Sequence, residues 1–121
     1  MSGRNAMPNY MILIYGDEKE WEGASEADIA DIYQRHGEFA KQVPETGGKI
    51  LAGDALEPTS TATSISEGVV TAGPFAETAE QLGGYYLVEA RDLDHALEIG
   101  KMVPTGKGGG TIEVRPIVVF S

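Results

Sequence analysis

Apolar positions over residues 9–15 follow the period of a strand, but both phases of the alternation are apolar. Tyr10, Ile12 and Ile14 would lie on one face, with Met11, Leu13 and Tyr15 on the other. The same two-sided pattern returns over residues 84–90, where Tyr85 and Leu87 oppose Tyr86 and Val88. Between these strands the period changes. Residues 16–20 are polar and read as a loop leading to Trp21. Ser25 followed by Asp28 reads as an N-cap with an acidic form of the capping box. Ile29, Ile32, Tyr33, His36, Phe39, Ala40 and Val43 then recur at helical spacing, predicting an amphipathic helix of about five turns that stops before Pro44.

Gly47 and Gly48 turn the chain into a second strand over residues 49–56. Residues 59–71, rich in Thr and Val around Glu67-Gly68, predict a β-hairpin with a two-residue turn. Asp92 or Asp94 caps a second helix with Leu93, Ala96, Leu97, Gly100 and Val103 on one side, stopped by Pro104. Residues 105–110 read as a Gly-rich loop. The last strand covers residues 111–120, and Pro116 confines it to an edge or a bulge. Strand-helix-strand, hairpin, strand-helix-strand is the ferredoxin-like α+β plan: an antiparallel sheet with two helices on one face and an inserted hairpin. Two helices cover one face only. The two-sided strands would then leave an apolar face in water, and a second copy of the chain is the simplest cover, giving a homodimer built as an α+β barrel.

Length places 121 residues in one domain, with residues 1–8 as a disordered leader, Met7 as an alternative start and residues 9–121 as the folded unit. The leader lacks the apolar core of a secretory signal. No apolar run reaches the roughly 18 residues that cross a bilayer. A net charge of −10, from 19 acidic and 9 basic residues, argues against nucleic acid and anionic membrane surfaces as partners. The absence of cysteine removes disulfides and thiolate chemistry, and makes the cytoplasm the expected compartment. His36 and His95 are the only histidines, and His95 is placed at the exposed start of the second helix, so no multi-histidine metal site is expected in one chain. No cofactor motif is present either. The Gly-rich segment around Lys107 precedes a strand and lacks phosphate-loop spacing.

Several ordered segments carry a family resemblance over residues 10–117. They are Met11-Ile12-Leu13-Ile14-Tyr15-Gly16-Asp17-Glu18, His36-Gly37-Glu38-Phe39, Gly53-Asp54-Ala55-Leu56, Thr71-Ala72-Gly73-Pro74-Phe75-Ala76-Glu77, and Glu80-Gln81-Leu82-Gly83-Gly84-Tyr85-Tyr86. Ala90-Arg91-Asp92-Leu93-Asp94-His95-Ala96-Leu97 and the residues from Gly109 to Ile117 complete the set. The chain resembles the YCII-related family, in its DGPF-domain branch of dimeric α+β barrel proteins. That resemblance implies a cytoplasmic homodimer with a pocket between sheet and helices. It says little of a reaction, although a His-Asp pair in a cleft is suggested to act in acid-base chemistry among wider relatives, some of which process lactones. Ala72 stands where the motif has its namesake Asp, so that carboxylate is lost or replaced by Glu77.

Three groups of residues can carry chemistry. His36, on the helix's apolar stripe, is a proton shuttle if a partner such as Asp54 orients it, or a packed histidine satisfied by backbone or a tyrosine. Gly73, Pro74, Phe75 and Glu77 form a turn that either walls a pocket or anchors the hairpin. Tyr85 and Glu89 share a face of their strand, and Glu113 with Arg115 share one of the last strand. Together they make either a polar floor for a carbonyl or carboxylate, or a cross-strand ion pair. Asp17 is a weaker fourth site. The resulting expectation is a small-molecule pocket, serving cofactor-independent acid-base chemistry on a small cyclic or carbonyl compound. The alternative is a non-catalytic ligand-binding or regulatory dimerisation module.

Overall fold

A computed structural model describes residues 7–120. Strand β1 (Asn9–Gly16) lies centrally and is hydrogen-bonded on both edges. It is followed by helices α1 (Glu18–Glu22) and α2 (Glu26–Glu45), strand β2 (Lys49–Ala55) and the hairpin β3 (Thr63–Ser66) and β4 (Val69–Ala72). Strand β5 (Gln81–Glu89), helix α3 (Leu93–Met102) and strand β6 (Thr111–Pro116) complete the chain. The four long strands form one antiparallel sheet in the order β2-β5-β1-β6, and β3 and β4 form a separate two-stranded sheet. This is the expected ferredoxin-like α+β arrangement.

The two long helices choose which apolar phase becomes core. Tyr10 and Ile12 of β1, Val88 of β5 and the following Ala90 are buried with Phe39 and Val43 of α2 and Ala96 and Ile99 of α3. Ile14, Tyr86, Ile112 and Val114 pack against that cluster. The opposite phase, Met11, Leu13, Tyr85 and Leu87, is only partly buried. Pro116 sits where a missing N–H does no harm, at the end of edge strand β6.

Local chemistry explains most boundaries, including those that differ from expectation. The Ser25–Asp28 capping box forms in both directions, at 3.1 and 3.4 Å. The supposed loop before Trp21 contains α1, because the Asp17 carboxylate caps it by accepting the Lys19 N–H at 2.9 Å. Helix α2 runs through Pro44 to Glu45. The ring costs one hydrogen bond in the last turn, which closes through the Thr46 and Gly47 N–H groups onto Val43 and Pro44. In the hairpin, Glu67 and Gly68 both take positive φ (49° and 81°), the signature of a type I′ turn. β6 ends at Pro116, and a bond from Ile117 N–H to Asn9 carbonyl finishes the pairing before an exposed tail.

Two stripes need correction. On α3 the buried face is His95, Ala96, Ile99 and Gly100, two i, i+4 pairs, whereas Leu93 and Leu97 face outward. His95 is thus buried, not exposed. On α2, Tyr33 and Ala40 lie outside the buried set of Ile32, Phe39 and Val43. The expected leader falls outside the described residues over 1–6. Pro8 belongs to the fold, with its carbonyl accepting the Ala90 N–H at 3.1 Å.

Candidate functional site

His36 sits midway along α2, one turn before Phe39, and reaches the sheet at Tyr86 of β5. Its Nδ1 lies 2.7 Å from the Tyr86 hydroxyl, and the two ring centroids are 5.9 Å apart. Phe39 supports Tyr86 from beneath, with ring centroids 4.9 Å apart at a tilt of 50°. Across the sheet, Gly53 of β2 pairs with Tyr86 and leaves room for its ring. A Cβ on Gly53 would stand 2.5 Å from Tyr86 Cδ1, so only glycine permits this placement.

The pair stands in the wall of a cleft of about 600 Å³ between the sheet, α1, α2 and the segments after β2 and α3. Ile14, Ile32, Leu56 and Pro104 supply apolar wall, and Trp21, Tyr33 and Tyr86 add aromatic surface. That size and lining suit a small organic ligand. Hydrogen bonds hold the frame. Glu18 of α1 accepts the Thr59 N–H and hydroxyl, each at 2.6 Å, while its own N–H donates to Gln81 Oε1 at 3.0 Å. Glu20 accepts the Gly108 N–H at 2.7 Å, Lys107 meets Asp28 at 2.7 Å, and Arg35 donates to the Thr105 carbonyl at 3.3 Å. The Gly-rich loop after α3 is therefore tied across α1 and α2 at the cleft's edge.

Burial lowers the pKa of His36 below its ordinary 6.5, and the neighbouring Arg35 charge adds to the effect. Burial also raises the Tyr86 phenol above 10, so at neutral pH an uncharged imidazole meets an uncharged phenol. Two tautomers satisfy the contact. Either the phenol donates to Nδ1 and Nε2 carries the proton, or Nδ1–H donates to the phenol oxygen and Nε2 holds a free lone pair. Nε2 has no partner among the described residues and is not enclosed, so it is the atom available to a ligand.

His36 and Asp54 bond to different tyrosines, His36 to Tyr86 and Asp54 to Tyr85. Asp54 pairs with Tyr85 in register, one residue out of phase with Tyr86, and accepts the Tyr85 hydroxyl at 3.0 Å, and both residues also contribute to the lining of the cleft. That bond to Asp54 raises the Tyr85 pKa. Glu89 and Arg115 share the face of Tyr85, away from His36, and β1 separates their strands. Arg115 instead approaches Glu113 on its own strand, at 3.8 Å, and both are partly open to solvent. Gly73, Pro74, Phe75 and Glu77 line no part of the cleft, and Phe75 is 91% exposed, so within one chain it anchors nothing. Asp17 serves as the cap of α1.

Tyr86, Trp21 and Glu18 are the site residues that pattern reading passed over. The parity of β5 was the available signal for Tyr86, since it shares a phase with Val88 and Gly84, the residues that face the helices. Glu18 and Trp21 had no such signal, because their place depends on the short helix capped by Asp17.

Comparison with known proteins agrees with this frame. The model of the YCII-related domain matches residues 8–121. An uncharacterised protein of Rhizobium meliloti (strain 1021) is 31% identical over 116 residues, spanning 92% of this chain and 93% of its own length. A match over nearly the whole folded chain, on an α+β sheet of the expected order, means that the chain belongs to the YCII-related family.

Proposed function

We propose that this protein binds a small cyclic or carbonyl compound in the cleft and performs cofactor-independent acid-base chemistry on it through His36. The observation that carries this reading is the 2.7 Å contact between His36 Nδ1 and the Tyr86 hydroxyl in the wall of the cleft. Tyr86 takes the orienting role that Asp54 was expected to fill. A neutral hydroxyl stabilises an imidazolium less than a carboxylate would, so the pair suits a weak base acting near neutral pH rather than a strongly activated one. In the tautomer with Nδ1–H on the phenol oxygen, Nε2 accepts a proton from a carbon next to a carbonyl and can return it elsewhere.

The test is proton exchange at carbon. Cyclohexanone or a γ-lactone incubated with the protein in D2O should lose its α-protons faster than with His36→Gln, followed by NMR. Because His36 is harder to protonate than free histidine, its base form persists as pH falls below 6.5, and the rate declines only beneath that value. The same shift links to stability. The unfolded chain binds the proton more readily, so folding stability is intact above pH 6.5 and falls as pH drops from 6.5 through the lower folded value. Exchange that is equal in wild type and His36→Gln would refute the catalytic reading.

The non-catalytic alternative keeps the same cleft and dispenses with proton transfer. Assignment to the DGPF branch rests on Thr71 to Glu77 and on the Gly83-Gly84-Tyr85-Tyr86 run, with Ala72 in place of the motif Asp. The assembly we propose is a two-fold homodimer in the cytoplasm, its uncovered sheet faces packed together. Met11, Leu13, Tyr85 and Leu87 support it, as does the apolar exposure of Ile65, Val69 and Val70 on the hairpin. Sedimentation at micromolar concentration should show a dimer, and Leu13→Asp should yield a folded monomer. A wild-type monomer would contradict the assembly.

A further inference from the structure

We propose that the ligand of the cleft is an uncharged ring compound presenting one carbonyl or hydroxyl oxygen to His36, and that the cleft rejects carboxylates and phosphates. This rests on the cleft being the working site. No lysine or arginine lines it. Two cations of the neighbouring segments bond elsewhere: Arg35 to the Thr105 carbonyl and Lys107 to Asp28. An anion entering the cleft would shed water and meet no cation in its lining, a loss that apolar walls do not return.

The acidic groups at the wall add to that exclusion. Glu18 and Glu22 line the cleft, and Glu18 is held in place by its two donors from Thr59. Like charges disfavour an incoming carboxylate or phosphate. His36 itself offers a ligand one polar contact, because its Nδ1 is engaged with Tyr86 and Nε2 remains. Nε2 of His36, set among Trp21, Tyr33, Tyr86 and aliphatic side chains, matches the oxygen substituent of a ring stacked or edge-on against the aromatic surfaces.

The chain carries its own reporters. Trp21 is its single tryptophan, and of its two histidines His36 lines the cleft while His95 is buried beneath α3, outside the lining. Acetophenone, benzoate and phenyl phosphate share a ring and differ in charge. Each is titrated into the full chain at neutral pH while the Trp21 indole and both histidine rings are followed by NMR. Acetophenone should shift Trp21 and His36 and leave His95 still, and the two anions should need at least about tenfold higher concentration for the same shift. Benzoate or phenyl phosphate matching or exceeding acetophenone would overturn the charge selection and leave the cleft as a binding site. If no probe moves Trp21 or His36, or if His95 moves equally, both the selection and the cleft's role fall.

Discussion

Replacing Phe39 by alanine should cost about 3–5 kcal/mol of folding free energy, the range for a large aromatic removed from a core. Phe39 is 2% exposed and packs with Val43, Val88 and the flank of Tyr86, so neighbouring side chains have little freedom to collapse into the space. The effect has a second component at the site. Tyr86 loses the ring that supports it, and the 2.7 Å contact to His36 depends on where that phenol stands. Chemical denaturation at one fixed protein concentration measures the first component, since association would make stability depend on concentration. The His36 ring resonances read the second. A loss below about 1 kcal/mol, with His36 unchanged, would mean that Phe39 does not hold this wall.

His95→Leu is expected to have the next largest effect, about 1–3 kcal/mol for the polar group it strands. His95 is 1% exposed, and its Nδ1 accepts the Arg91 N–H at 3.0 Å. That bond leaves Nε2 to carry the ring proton and donate to Thr46 Oγ1 at 2.9 Å. Thr46 passes the chain on, donating to the Val43 carbonyl at 2.7 Å and accepting the Gly48 N–H at 3.3 Å. One imidazole thus ties the start of α3 to the corner where α2 turns into β2. Leucine fills much of the volume but leaves the Arg91 N–H without its acceptor. Hydrogen exchange at Arg91 should quicken along with the loss of stability, and exchange unchanged from wild type would show that another acceptor takes over.

How legible was this protein? The strand at β1, the capped helix from Ser25, the hairpin turn at Glu67-Gly68 and the edge position of β6 all follow from local chemistry, and the structure has each of them. These depend on neighbours a few residues apart, and the chain states them directly. His95 shows the limit. Polar and near a helix start, it reads as exposed, yet Ile99 one turn on brings it under α3 and Thr46 satisfies it. Propensity cannot see a partner 49 residues away. Pro44 predicts a stop because its ring forbids one bond, yet in the last turn the helix tolerates that loss.

For the site, the sequence by itself determined that His36 would lie on the inner stripe of a helix, and that β1 and β5 would be apolar on both faces. It determined the acidity, the absence of thiols and the family-bearing segments as well. Only the tertiary structure decided which face of the sheet the helices would cover. That choice put Tyr86 beside His36, left Asp54 bonded to Tyr85, and kept Glu89 and Arg115 out of the cleft. The reason is the two-residue period of a strand. When both phases are apolar, alternation defines two faces and ranks neither, so the assignment waits for the packing of α2 and α3 across the sheet.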